Sequence, residues 1–153
     1  MSSNDILTSN NNSDRDNAGQ KPKFKLFSAI QIGLGCFFGS TFAALLMLAL
    51  NFRTVGDHRN FKVVLSVAVG HLPILIYFLL KMLDEGWYRI IIFIVAGGMT
   101  FIAEEWQGKI YKKHLDSGGE KKGSGSVIGA IALSLIIVFI STIIYLMLTD
   151  TDI

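Results

Sequence analysis

Residues Phe27 to Leu50 read FSAIQIGLGCFFGSTFAALLMLAL, 24 residues without a charge. At 1.5 Å per residue a single helix over this stretch spans about 36 Å, more than the roughly 30 Å hydrocarbon core of a bilayer. Lipid offers backbone N–H and C=O groups no partner, so a crossing segment must be helical. The run is too long for a signal peptide, its polar leader is also too long, and no small-x-small cleavage site ends it. It therefore reads as a retained membrane span.

Three further apolar runs follow. Val63–Leu80 covers 18 residues, Trp87–Ala103 covers 17 with Arg89 near its start, and Val127–Leu148 covers 22. As helices they reach about 27, 25 and 33 Å. Composition agrees. Hydrophobic residues make up 51% and charged residues only 17% of the 153 positions, and mean hydropathy is +0.48. So small a water-soluble fold cannot bury that much apolar surface. The expected fold is all-α: a polytopic bundle of four transmembrane helices in residues 27–149, with short loops.

Residues 1–20 are rich in Ser, Asn, Asp and Gly and have almost nothing to bury, which predicts disorder. Three lysines in KPKFK (21–25) then flank the first span. The tail is thus taken as 1–26, disordered and basic at its end. The loops expected between spans are Asn51–Lys62, with Gly56 a natural helix terminator, Lys81–Gly86, and Glu104–Ser126, ending in a flexible GGEKKGSGS stretch. Trp87, Tyr88, Trp106, Tyr111 and Tyr145 stand near run ends, where amphipathic aromatics prefer the interface.

Four spans place both termini on one side, and a tail ending in KPKFK favours the cytoplasm for that side. The charge distribution sits poorly with this. With an inside N-terminus, the inner loops and tails carry 6 Lys and Arg and the outer loops 8. If the short third run re-entered instead of crossing, the split would become 11 to 3, as the positive-inside rule requires. The apolar character of IIIFIVAGGMTFIA nevertheless favours crossing.

Small residues recur every four positions in the first run, at Gly35, Gly39 and Ala43. Ser126, Ala130 and Ser134 repeat the spacing in the fourth, with Ser66 and Gly70 in the second and Gly97 in the third. Such faces let helices approach closely in lipid. Packing within the bundle is the first use expected of them; a partner or a second copy of the chain is the other. His71 lies near the centre of the second run, just before Pro73. An ionisable group at that depth is a candidate functional site. The plainer reading is a neutral histidine bonded to a carbonyl freed by Pro73, or to Ser40 or Thr41 across an interface.

Nothing in the sequence marks a catalytic centre. Glu104 and Glu105 are adjacent and point apart on a helix. His58, His114, Asp57 and Asp116 lack metal-ligand spacing, and there is no phosphate-binding loop, nucleophile elbow or cysteine pair. Cys36 is the one cysteine. No enzyme activity, cofactor, metal or nucleic-acid partner is expected.

Gly39, Ser40, Ala43, Ala44, Asn51, Phe52, Arg53 and Gly56 resemble a pattern of small bacterial inner-membrane proteins. That pattern combines a Gly-Gly or Gly-Ser pair, small residues in the span and an Asn-Phe-basic-x-x-Gly exit. Many members carry proline after the pair, where this chain has Thr41. The resemblance implies an inner-membrane setting. The four-helix architecture is also similar to that of immunity proteins against pore-forming toxins. Two functions follow as expectations. One is a non-enzymatic protein acting through helix contacts with a membrane partner, as an immunity protein or accessory subunit. The other is a small oligomeric channel or exporter using His71.

Overall fold

The structure, a computed structural model, describes residues 22–82 and 88–149. The elements run β1 (Lys25–Leu26), α1 (Ala29–Gly39), α2 (Thr41–Thr54), α3 (His58–Met82), α4 (Tyr88–Asp116), β2 (Glu120–Lys121) and α5 (Ser124–Thr149). The all-α architecture is as expected. Three helices, α3, α4 and α5, are long and apolar enough to cross a membrane.

The first apolar run does not form a fourth such helix. It divides at Ser40 into α1 and α2, of 11 and 14 residues, about 16 and 21 Å long. The two fold back on each other. Phe27 N–H donates to Asn51 Oδ1 at 2.8 Å, and Asn51 Nδ2 donates to Phe27 O at 2.7 Å. In one straight helix these residues would stand about 36 Å apart. The division has a local cause. Ser40 adopts φ 102 and ψ 166, a region that helices never visit and that non-glycine residues avoid. Ser28 starts α1 with a capping box, its Oγ accepting from Gln31 N–H while Gln31 Oε1 accepts from Ser28 N–H.

This hairpin is the centre of the molecule. Among the long helices, α4 packs chiefly on α1, α3 on α2, and α5 on both hairpin helices and on α3. No residue from Thr41 to Phe52 is exposed. The core runs along the hairpin through Ile32, Met47, Leu48 and Phe52 to Val64 of α3 and Ala103 of α4.

The connections are shorter than the runs imply. The loop expected over Asn51–Lys62 shrinks to residues 55–57. Asp57 N–H reaches Phe52 O and Gly56 N–H reaches Arg53 O, with Gly56 at φ 82, which is a Schellman ending. The loop expected over Glu104–Ser126 is mostly helix, because EEWQGKIYKKHLD is free of proline and rich in helix formers. α4 ends in a second Schellman turn, with Gly118 at φ 79 and Gly119 N–H bonded to His114 O. Nor is GGEKKGSGS a free linker. β2 pairs in parallel with β1, matching Lys25 to Glu120 and Leu26 to Lys121.

The expected disordered tail of 1–26 is corrected at its end, since Leu26 is buried and belongs to β1. Residues 1–21 of that tail, Trp87 and the C-terminal stub lie outside the described residues. With one hairpin and three long helices, Pro22 and Thr149 fall at opposite ends of the bundle, and the expected shared side for the termini does not follow.

Candidate functional site

Two polar centres organise the hairpin, one at its base and one at its tip. At the base, buried Asn51 answers both backbone groups of Phe27, and its Nδ2 also donates to Gln107 Oε1 of α4 at 3.0 Å. One amide thereby ties the start of α1 to the end of α2 and to α4. Gln31 Nε2 adds a bond to Lys122 O at 2.7 Å. The Lys122 ammonium lies 4.2 Å from the centroid of the Phe27 ring, and burial lowers the Lys122 pKa. Lys25 pairs with Glu120 at 2.6 Å across the strands, with both side chains largely exposed.

At the tip, Thr41 Oγ1 and His71 Nε2 are 3.1 Å apart. Thr41 is one of the partners expected for His71. α3 continues through Pro73, which is exposed. Ser40 Oγ and His71 Nδ1 are buried without a partner among the described residues. Ser134 of α5 closes the tip from the other side, its Oγ contacting Gly39 O at 3.3 Å and Ile131 O at 2.8 Å.

The small residues divide into two groups. A side chain at Gly35 would meet Met47 Sδ at 2.7 Å. One at Gly39 would meet Ala43 Cβ at 2.9 Å, Ser134 Oγ at 3.1 Å and Ile131 at 3.2 Å. Ala43, Ala130 and Ser134 are buried with them. The stripe Gly35, Gly39, Ala43 is thus a packing face within the chain, joined by Ala130 and Ser134. Gly70 and Gly97 have nothing within 4 Å of an added Cβ, and Ser66 and Ser126 are exposed. The structure brings none of these four into the core.

Three participants were not singled out from the sequence for these roles. Gly33 receives Thr100 of α4, whose side chain an added Cβ would strike. Its signal is present in the sequence, since Gly33 precedes the four-residue stripe by two positions and so faces another neighbour. Asn51 and Gln107 form the base link. An uncharged amide at the end of an apolar run marks a buried hydrogen-bonding position, but its partner 56 residues away leaves no local trace.

Compared with protein-family models, curated proteins and solved structures, the chain finds no match.

Proposed function

We propose that the chain is a non-enzymatic, multi-pass inner-membrane protein that acts through helix contacts with a membrane partner, in the manner of an accessory subunit. α3, α4 and α5 cross the bilayer, and the α1–α2 hairpin enters and leaves on one face. Helix lengths support this placement. Lys62 and Lys81 of α3 are 19 residues apart, and Arg89 and Lys109 of α4 are 20 apart, giving about 28 and 30 Å at 1.5 Å per residue. Both match the hydrocarbon core. Charge supports it too. Lys23 and Lys25 precede the hairpin, Arg53, Arg59 and Lys62 follow it, and Lys109, Lys112, Lys113, Lys121 and Lys122 lie between the ends of the α4 and α5 spans. These ten share one side, against Lys81 and Arg89 on the other. The hairpin side is therefore cytoplasmic, and the end of α5 is extracytoplasmic. The near-tie computed for four spans disappears once the first run turns back.

The observation that carries the contact reading is the set of open glycines. Inside the hairpin, Gly33, Gly35 and Gly39 each admit a neighbour that a side chain would displace. On the outward helices, Gly70, Gly97, Gly98 and Gly129 have no such neighbour. Glycine weakens a helix relative to alanine unless close approach offsets the loss. A partner helix against these faces would supply that approach. The immunity-protein alternative drew on four spans, so the accessory-subunit form is the better supported.

The test is the size of the complex in native-membrane nanodiscs. Gly70→Leu, Gly97→Leu and Gly129→Leu should dissociate it without lowering the thermal stability of the isolated chain. A chain that is monomeric and partnerless before substitution overturns the reading.

Ser40 Oγ and His71 Nδ1, buried and without a partner among the described residues, favour a second reading, a small oligomeric channel or exporter. Broken helices with polar tips line many transport sites. Flux in liposomes at several pH values, abolished by His71→Asn, would support it.

A further inference from the structure

α3 and α4 each turn a long face away from the rest of the chain. On α3 that face carries Lys62, Ser66, Gly70 and Pro73, all exposed. Their spacing of four, four and three residues holds them within about 80° of the helix circumference. On α4 it carries Gly98, Phe101 and Glu105, exposed as well, with Phe101 at 67%. These span about 60°. A side chain added at Gly70 or Gly98 would meet nothing within 4 Å among the described residues.

The two faces carry opposite charge at similar depth. Neither the Glu105 carboxylate nor the Lys62 ammonium has an ion pair or hydrogen bond among the described residues. Lys109, one turn beyond Glu105, leaves it unpaired too. With Lys109 at the cytoplasmic boundary, Glu105 stands about 6 Å inside it, where a charge facing lipid is costly. Lys81 and Arg89 mark the opposite boundary. Counted from them at 1.5 Å per residue, Pro73 and Gly98 lie about 12 and 14 Å deep, Gly70 and Phe101 about 17 and 18 Å, and Ser66 and Glu105 about 23 and 24 Å. The exposed ring of Phe101 is thus level with the open Gly70. The Glu105 carboxylate, an acceptor only, is level with the Ser66 hydroxyl and one turn from Lys62, both donors.

We propose that α3 of one copy of this chain packs against α4 of another. The inference rests on the membrane-contact reading above and names its partner. α3 and α4 cross in opposite directions, so copies that share one orientation in the bilayer bring these helices together antiparallel, with the depths just compared in register. Phe101 then fills the space left open at Gly70, the α3 backbone approaches Gly98 closely, and Glu105 receives Lys62 and Ser66 as charge-assisted and hydroxyl donors. Like faces do not fit. α3 against α3 would set Lys62 opposite itself, and α4 against α4 would do the same to Glu105. A contact between unlike faces repeats from copy to copy until a ring closes.

The experiment counts copies of the full chain per complex in native-membrane nanodiscs by native mass spectrometry. The parent should carry two or more. Lys62→Glu and Glu105→Lys should each weaken association by roughly tenfold or more, because each sets like charges together at every contact. Co-expressed, the two variants should reassemble as mixed complexes, since each supplies the charge that the other lacks. Pairing within one helix would not respond to mixing. Gly98→Leu, which leaves every charge in place, should also dissociate the complex. The thermal stability of the dissociated chain should be unchanged in all three variants, as none of these positions has a partner within it. Retained assembly in any of the three, or no recovery on mixing, would overturn the α3–α4 contact. A complex of one copy with a different protein would overturn the second copy as partner and leave the membrane-contact reading standing, whereas a parent chain without any partner would remove both.

Discussion

The central hairpin and the three long helices around it are all apolar in sequence and differ in what their small residues do. Within the hairpin, Gly35 faces Met47, Gly39 faces Ala43 and Ser134, and Gly33 faces Thr100, so glycine sets helix separation. Along the surrounding helices, a Cβ added at Gly70, Gly97 or Gly129 would meet nothing within 4 Å among the described residues. Only 17–22% of the most apolar stretch of each is buried, with Phe93, Ile94, Phe101 and Phe139 turned outward. The same residue type thus marks intramolecular packing in one region and, on our reading, intermolecular packing in the other. The spacing pattern alone does not separate the two.

The largest effect expected on this contrast comes from the base of the hairpin. Asn51→Leu removes three buried hydrogen bonds and strands both backbone groups of Phe27. At about 1–3 kcal/mol for each unsatisfied buried group, a loss of roughly 3 kcal/mol or more is expected in reversible unfolding in detergent. Gly39→Leu follows, at about 1–3 kcal/mol for overpacking. Gly70→Leu, measured beside it on the isolated chain, should be close to neutral. Equal losses at the two glycines would erase the distinction between the regions.

Ser40→Gly should act in the opposite direction. Serine at φ 102 carries strain that glycine relieves, and a gain of about 1 kcal/mol should appear in the same assay. A loss would mean that the Ser40 hydroxyl contributes more than the backbone strain removes. The smallest effect is expected at His71. If its bond to Thr41 is a structural link, His71→Asn is silent and His71→Leu costs about 0.6 kcal/mol, the average for interhelical hydrogen bonds in lipid.

Much of the fold is legible in the sequence. Run lengths locate α3, α4 and α5, since nothing but a helix suits so long an apolar segment in lipid. The packing role of Gly35, Gly39 and Ala43 is legible because small residues four apart lie on one helical face. The turn at Ser40 is harder to see. An uncharged run of 24 residues suits one span and two half-length helices equally well, and side-chain periodicity does not report a single positive φ. One trace of it exists, the poor charge bias of a four-span topology. Run length makes the third run the alternative candidate for re-entry, because that run is shortest, whereas the structure turns the first back on itself. The base link is not legible, because Asn51 meets Gln107, and Gln31 meets Lys122, only after the hairpin has folded. The outcome at the candidate sites is similarly mixed. His71 meets Thr41 as one reading required, while Ser66, Gly70, Gly97 and Ser126 find no neighbour that tests a role.

The re-entrant hairpin is the central claim, and residue sidedness tests it most directly. In a Cys36→Ala background, single cysteines replace Lys23, Arg59 and Thr149, and each is labelled with a membrane-impermeant thiol reagent in intact cells and in inverted vesicles. The hairpin predicts that positions 23 and 59 react only from the cytoplasmic face and position 149 only from the opposite face. Labelling of positions 23 and 59 from opposite faces would mean that Phe27–Leu50 crosses the membrane once, and would contradict the account.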